Sequence, residues 1–297
     1  MRIPVITTLW KAGLSWSEDR GSYLGAALAY YALFSIAPML IIAIAGIGVF
    51  FGEAEVKQRI FEITTENIGK EGAQAVQQLV EQVWQPQTTL WASILGPVIL
   101  LLTACNFFLQ MGTALEMIWN IKPVQNRHWL YGYVKNYFLA LIMVIVSGAF
   151  WLVLFIGDGI VTYFLKILQE NWAGGTVYWS ALHYALYILL TAGMIMITFR
   201  FLSHNKIPYR KLWFGALVAA CLFFLGRLFF VWYLTYMGKS LATAFGAASS
   251  VVIFLIWVYY SAQIIFFGAE VVKVKLEEDR IAVGTAGSGD PRRAERS

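Results

Sequence analysis

Apolar residues run along this chain in six long blocks, near 24–51, 90–111, 137–157, 177–201, 212–235 and 247–270. Each meets the roughly 20 residues that a helix needs to cross the hydrocarbon core of a bilayer. Between the blocks the pattern changes. Residues 53–89 hold six acids and three bases, and Val56, Ile60 and Ile63, then Val76, Leu79, Val80 and Val83, recur at helical spacing. That stretch predicts short amphipathic helices outside the membrane. Residues 3–16 set Ile3, Ile6, Leu9 and Trp10 among polar positions, which predicts a helix lying in the membrane interface. The final residues, AVGTAGSGDPRRAERS, are small, charged and rich in breakers, which predicts disorder. The pattern therefore predicts an all-α, polytopic protein: an interfacial segment 1–23, a six-helix membrane domain 24–276 and a disordered tail 277–297.

Composition reinforces the pattern. The chain is 59% hydrophobic and 13% charged, with a mean hydropathy of +0.65. Soluble domains carry about a quarter charged residues, so lipid must cover part of this surface. The 12 tryptophans suit anchoring at the two membrane interfaces. Cys105 and Cys221 both lie in apolar runs and predict neither a disulfide framework nor a metal site. The first 22 residues lack the apolar core and cleavage site of a signal peptide.

The net charge of +5 would suit a nucleic-acid partner, but its distribution says otherwise. Sixteen bases fall on the side of the two ends and of the loops near 112–136 and 200–211, and five on the other side. By the positive-inside rule both termini are expected in the cytoplasm. The charge reads as topology in a bacterial inner membrane, with lipids as partners, no nucleic acid, and self-association left open.

Candidate chemistry lies inside the blocks. The first contains Tyr30, Phe34, Ser35 and Pro38. Pro38 cannot donate to the carbonyl of Phe34, so a kink is expected, either static or bordering a substrate path. Thr103, Asn106 and Gln110 share one face of the second block, which suits a watery lining or helix–helix hydrogen bonds. Glu116 follows at the cytoplasmic boundary. Tyr259 and Gln263 lie in the sixth block, and Glu270 closes it, fixing the helix end on a basic residue or exchanging protons. Arg227 stands within CLFFLGRLFFVWYLTYM, past the expected midplane. An arginine that deep costs at least ~2.5 kcal/mol on insertion scales and faces a partner or a cavity. Two solutions compete: an ion pair with an acid such as Asp158, or contact with an anionic ligand.

The segments ALAYYALFSIAPML, GTALEMIWN and IWVYYSAQIIFFGAEV, with IPYRKLWFGALVAACLF before the fifth helix, resemble the signature segments of the YihY/BrkB family of bacterial inner-membrane proteins. The similarity runs from about residue 10 to 276. It implies six helices with both termini inside, a basic residue near position 227, and GAE as the end of the last helix. A ribonuclease BN activity has also been attached to that family. The residues here do not support it: His128, His183 and His204 lie in separate segments with no paired carboxylates. No phosphate-binding glycine loop occurs either, so neither a cofactor nor ATP-driven chemistry is expected.

The function expected from these features is transport of an anionic solute, lipid-like or phosphorylated, through a polar cavity shared by the first, second, fifth and sixth helices. The competing expectation is a scaffold for envelope assembly that transports nothing. An intramembrane enzyme lacks a catalytic set.

Overall fold

A computed structural model of the chain describes residues 4–35, 90–121, 134–150, 176–203 and 207–288, with single positions at 52, 58, 61 and 132. Regular structure among the described residues is entirely helical. In chain order the helices are α1 (Val5–Glu18), α2 (21–35), α3 (Leu90–Ile118), α4 (134–150), α5 (Thr176–Leu202), α6 (Tyr209–Phe245) and α7 (Ser249–Ser288). A single 3-10 turn, Gly246–Ala248, joins α6 to α7.

Four of these helices are long and apolar enough to cross a membrane: Leu101–Ile118 in α3, Ala181–Leu202 in α5, Tyr209–Gly238 in α6 and Val251–Asp279 in α7. The apolar stretch of α4, Val134–Phe150, is shorter. The first and third expected crossings, 24–51 and 137–157, are described only to 35 and 150. The amphipathic helices expected within 53–89 lie outside the described residues, as do Pro38 and Asp158.

Tight backbone contact organises the bundle. The short turn after α6 forces α6 and α7 to run antiparallel, and small residues let them approach. A Cβ built on Gly215 would lie 2.5 Å from the Gly268 carbonyl oxygen, and one on Gly268 only 2.7 Å from the Ala219 Cβ. Farther along, a Cβ on Gly226 would meet Tyr260 Cε1 at 2.6 Å. In lipid the helices gain little hydrophobic energy by associating, so close van der Waals contact of this kind holds them together. Phe199, Phe266, Leu115, Ile118, Met143 and Leu28 fill the core beside this seam.

Helix ends are fixed by local chemistry. Asn120 adopts φ +50 after α3, and the Ile121 N–H returns to the Glu116 carbonyl at 2.9 Å. Asparagine tolerates that left-handed conformation better than most residues. The Trp119 indole N–H then donates to the Ala269 carbonyl at 2.9 Å, tying the end of α3 to α7.

The helix expected over 3–16 is α1, and it docks with its small and polar face inward. Thr8 and Ala12 are fully buried, whereas Ile6 and Trp10 are 81% and 71% exposed to the surroundings of the protein. The last helix continues through Ser288, beyond position 277, where the composition placed the start of a disordered tail. Two ties beyond that position explain the extension: Lys211 pairs with Asp279 at 2.5 Å, and Thr8 donates to Glu278 at 3.5 Å.

Candidate functional site

Two clefts lie end to end between α3, α4 and α5. The first, about 230 Å³, is bordered by Gly112, Thr113 and Glu116 of α3, Asn136 and Tyr137 of α4, and Leu202 of α5. The second, about 140 Å³, is bordered by Met111 of α3, Phe150 of α4, Tyr187, Thr191 and Thr198 of α5, and Phe223 of α6. Along each of the three helices the numbering shifts consistently from one cleft to the other. From Leu202 to Tyr187 the α5 axis rises roughly 22 Å, at 1.5 Å per residue. Phe108, 7% exposed, borders both clefts and separates them.

Trimming that partition should join the clefts. In a background with Cys105→Ala and Cys221→Ser, a cysteine at Thr198 reports on the second cleft. Phe108→Leu is expected to accelerate its labelling by a small cationic thiol reagent about fivefold, because a packed interior admits no probe until a side chain gives way. Equal rates would show that Phe108 separates nothing.

Arg227 stands beside the second cleft, at the midpoint of α6 (Tyr209–Phe245). Its guanidinium carbon lies 5.7 Å from the centroid of the Tyr187 ring, and Tyr187 borders the cleft. Phe223, one turn earlier on α6, also borders the cleft and packs against Trp257 at 5.5 Å between centroids. Phe230, one turn later, packs against the same Trp257 at 4.7 Å. Arg227 is exposed, set over the Tyr187 ring and flanked along α6 by Phe223 and Phe230.

The other predicted residues sort differently. Ser35 is buried; its hydroxyl lies 2.8 Å from the Tyr31 carbonyl and 3.0 Å from the Thr103 carbonyl. Asn106 accepts from the Tyr137 hydroxyl at 3.1 Å. Ser35 and Asn106 therefore bind helices to one another, and none of Thr103, Asn106 and Gln110 borders the two clefts. Tyr30 and Phe34 pair with each other at 4.8 Å and are 58% and 56% exposed on the outer side. Tyr259 and Gln263 lie against Gly25 of α2, where the absent Cβ leaves room for the Gln263 amide. Glu116 alone of the α3 candidates borders a cleft. Among the described residues the two clefts lie among α3, α4, α5, α6 and, through Ile265, α7; the first crossing beyond residue 35, where the expected cavity would be bordered, lies outside the described residues.

Glu270 belongs to a separate polar junction. Its carboxylate is fully buried and accepts from the Ser15 hydroxyl at 2.8 Å. Lys273 lies 3.7 Å from it and 2.5 Å from Asp19. The second carboxylate oxygen, Oε1, makes no hydrogen bond. The junction joins the end of α1 to α7, so the basic partner expected for Glu270 is Lys273, three residues later in the same helix.

Comparison with known proteins gives the kinship of this arrangement. Residues 14–294 match the family described as Virulence factor BrkB. The chain belongs to that family. It is 27% identical over 258 residues to a UPF0761 membrane protein of Legionella pneumophila, covering 86% of this chain and 58% of the relative. A UPF0761 membrane protein of Alcanivorax borkumensis is 26% identical over 266 residues, covering 87% of this chain and 58% of the relative. One from Cronobacter sakazakii is 24% identical over 270 residues and is covered to 88% of its length. No solved structure matches the chain. This BrkB-family chain is an integral membrane protein, and it spans little more than half the length of the Legionella and Alcanivorax relatives.

Sequence reasoning missed several residues of these sites. Trp119 lies in GTALEMIWN, a segment that carries the family resemblance, but nothing in the sequence names Ala269 as its partner. Tyr187 and Thr191 read as ordinary members of an apolar block. Ser15, Asp19 and Lys273 read as exposed polar positions near helix ends.

Proposed function

We propose that this membrane protein crosses the inner membrane six times, keeps both termini in the cytoplasm and carries an anionic amphipathic solute without nucleotide hydrolysis. The observation that supports the solute's character is the placement of Arg227 over Tyr187, at the edge of an apolar cleft. A guanidinium uncovered at mid-helix is costly in hydrocarbon unless an anion or water neutralises it. The adjoining cleft of about 140 Å³ is smaller than a drug-sized pocket. It takes a chain segment, while the headgroup stays at Arg227. A lipid-like or phosphorylated solute satisfies both.

The test uses proteoliposomes and a short-chain fluorescent phosphatidylglycerol, with the matching phosphatidylcholine as a neutral control. Arg227→Gln is expected to slow movement of the anionic probe at least tenfold, while the membrane-inserted amount is unchanged. Arg227→Lys should lose roughly threefold, since the charge stays and the bidentate fork goes. Equal movement of the two probes, or an unaffected Gln variant, would overturn the proposal. A fall in folded Gln variant that neutralising Asp158 reverses would instead assign Arg227 to an ion pair.

One observation favours the competing scaffold function. Ser35 and Asn106, expected as lining, are occupied in hydrogen bonds between helices. A protein that moves neither probe while keeping those contacts would fit that second function.

A further inference from the structure

Glu270 plays no part in the anion path, yet its surroundings are unusual. The residue is 0% exposed; one carboxyl oxygen accepts from Ser15 at 2.8 Å, and the other, Oε1, has no hydrogen bond. A buried carboxylate oxygen without a donor is costly. The charges do not balance either. Lys273 lies 2.5 Å from Asp19 and 3.7 Å from Glu270, so one ammonium serves two acids and sits closer to Asp19. Asp19 is also within hydrogen-bonding reach of Glu270.

No further cation makes up the difference among the described residues. Lys11, Glu18 and Arg20 are exposed, and α2 (21–35) carries no acid or base. The one charge on α3, Glu116, borders the first cleft. On α6, Lys211 is paired with Asp279 and Arg210 is exposed. On α7 itself, Glu277 adds negative charge beside Lys273, and Lys275 lies over the Phe214 ring. Two ionised acids sharing one ammonium leave a surplus negative charge in a buried place, where like charges disfavour each other's ionisation.

We propose that α1 is a proton-operated latch: Glu270 holds a proton while α1 is docked and gives it up when α1 leaves. The proton cancels the surplus charge and supplies a hydrogen that the Asp19 carboxylate accepts. Ser15, Asp19 and Lys273 then hold α1 to α7 with each charge matched. When α1 swings away it takes Ser15 and Asp19 with it. Water reaches Glu270, Lys273 pairs with that acid alone, and the proton passes to water. Docking therefore binds one proton and opening releases it, so acid favours the docked state and alkali the open one. Each pH unit changes the docked-to-open ratio by up to about tenfold.

The experiment uses the full-length protein in phosphatidylcholine nanodiscs, in the Cys105→Ala and Cys221→Ser background. Spin labels on cysteines at the exposed positions Ser17 of α1 and Met117 of α3 report the distance between these helices. From neutral pH to about pH 9, below the range where lysine titrates, a longer distance is expected to grow at the expense of the docked one. The ratio should move by up to about tenfold per pH unit and return on acidification. Glu270→Gln is permanently neutral and should stay docked, its ratio moving less than about twofold over the same range. Asp19→Asn leaves one acid for one cation, so its ratio should also lose the pH dependence. Infrared difference spectra give an independent measure: at neutral pH the unaltered protein should show a protonated-carboxyl C=O band that Glu270→Gln removes. A docked distance that ignores pH in the unaltered protein would overturn the latch. So would an alkaline opening that persists in Glu270→Gln, or a spectrum in which that substitution removes no acid band.

Discussion

Gly268→Val is expected to leave almost no folded protein in the membrane. Even a single methyl at this position would sit 2.7 Å from the Ala219 Cβ and 2.9 Å from the Gly215 carbonyl oxygen. Neither obstacle is the free end of a flexible side chain, so the helices themselves must separate. Overpacked cores lose roughly 1–3 kcal/mol when side chains can adjust; with backbone in the way, ~3 kcal/mol or more is expected. Separating α6 from α7 also breaks the association that membrane helices achieve by close approach. The Val272 side chain blocks the corresponding Cβ at Gly215, so Gly215→Val should behave alike. Gly193→Ala is the control: nothing lies within 4 Å of its added methyl. It should gain roughly 0.5–1 kcal/mol through helix propensity. Folded yield by fluorescence-detected size exclusion and midpoints of thermal unfolding would check all three. Normal yield of Gly268→Val would show that the seam is looser than these distances require.

Lys273→Met is expected to be the most damaging change in the polar junction, because it removes the cation that Asp19 and Glu270 share. It leaves the fully buried Glu270 carboxylate with a single neutral donor, Ser15, and it frees Asp19 as well. Two carboxylates would then share a region that had one cation. Removing the acids together with the lysine should recover most of the loss. Lys273→Met with Glu270→Gln and Asp19→Asn leaves hydrogen-bonding groups but no unpaired charge. Limited proteolysis between α1 and α2 provides the readout, because a released α1 exposes that corner. Lys273→Met should be cut at least tenfold faster than the unaltered chain, and the triple variant should approach it. If the triple variant is cut as fast as the single one, the junction is held by packing rather than by charge.

The sequence made some of these features legible and hid others for definite reasons. Long apolar runs reveal α3, α5, α6 and α7 because the length a bilayer demands is a property of one segment alone. Arg227 stood out for the same local reason: a lone charge in an apolar run needs an explanation wherever the neighbours lie. Its neighbour Tyr187 did not, since a tyrosine in such a run is ordinary. The polar face of Thr103 and Asn106 was visible, but spacing cannot say whether a hydroxyl or amide meets water or another helix. Here the Asn106 amide meets Tyr137 of α4, and Ser35 meets the backbone carbonyl of Thr103. Glu270 could be read as an ordinary acid at a helix end; its burial depends on α1, from a region whose own pattern spoke only of the membrane surface. Nothing in the sequence marked Gly215 and Gly268 as neighbours, because a glycine carries no complementary shape.

The junction between α1 and α7 also bears on how the chain is made. Ser15 and Glu270 are 255 positions apart, and Thr8 and Glu278 are 270 apart. At ~5–20 residues per second of synthesis, α1 waits roughly 10 to 50 s on the ribosome before its partner exists. During that interval its outward face, Ile6, Trp10 and Leu14, can already rest on the lipid surface, while its inward face, Thr8, Ala12 and Ser15, has nothing to meet. The bilayer can therefore hold the first helix in store until Glu270 and Lys273 arrive, and a chain interrupted before position 270 is marked by an α1 that never docks on them.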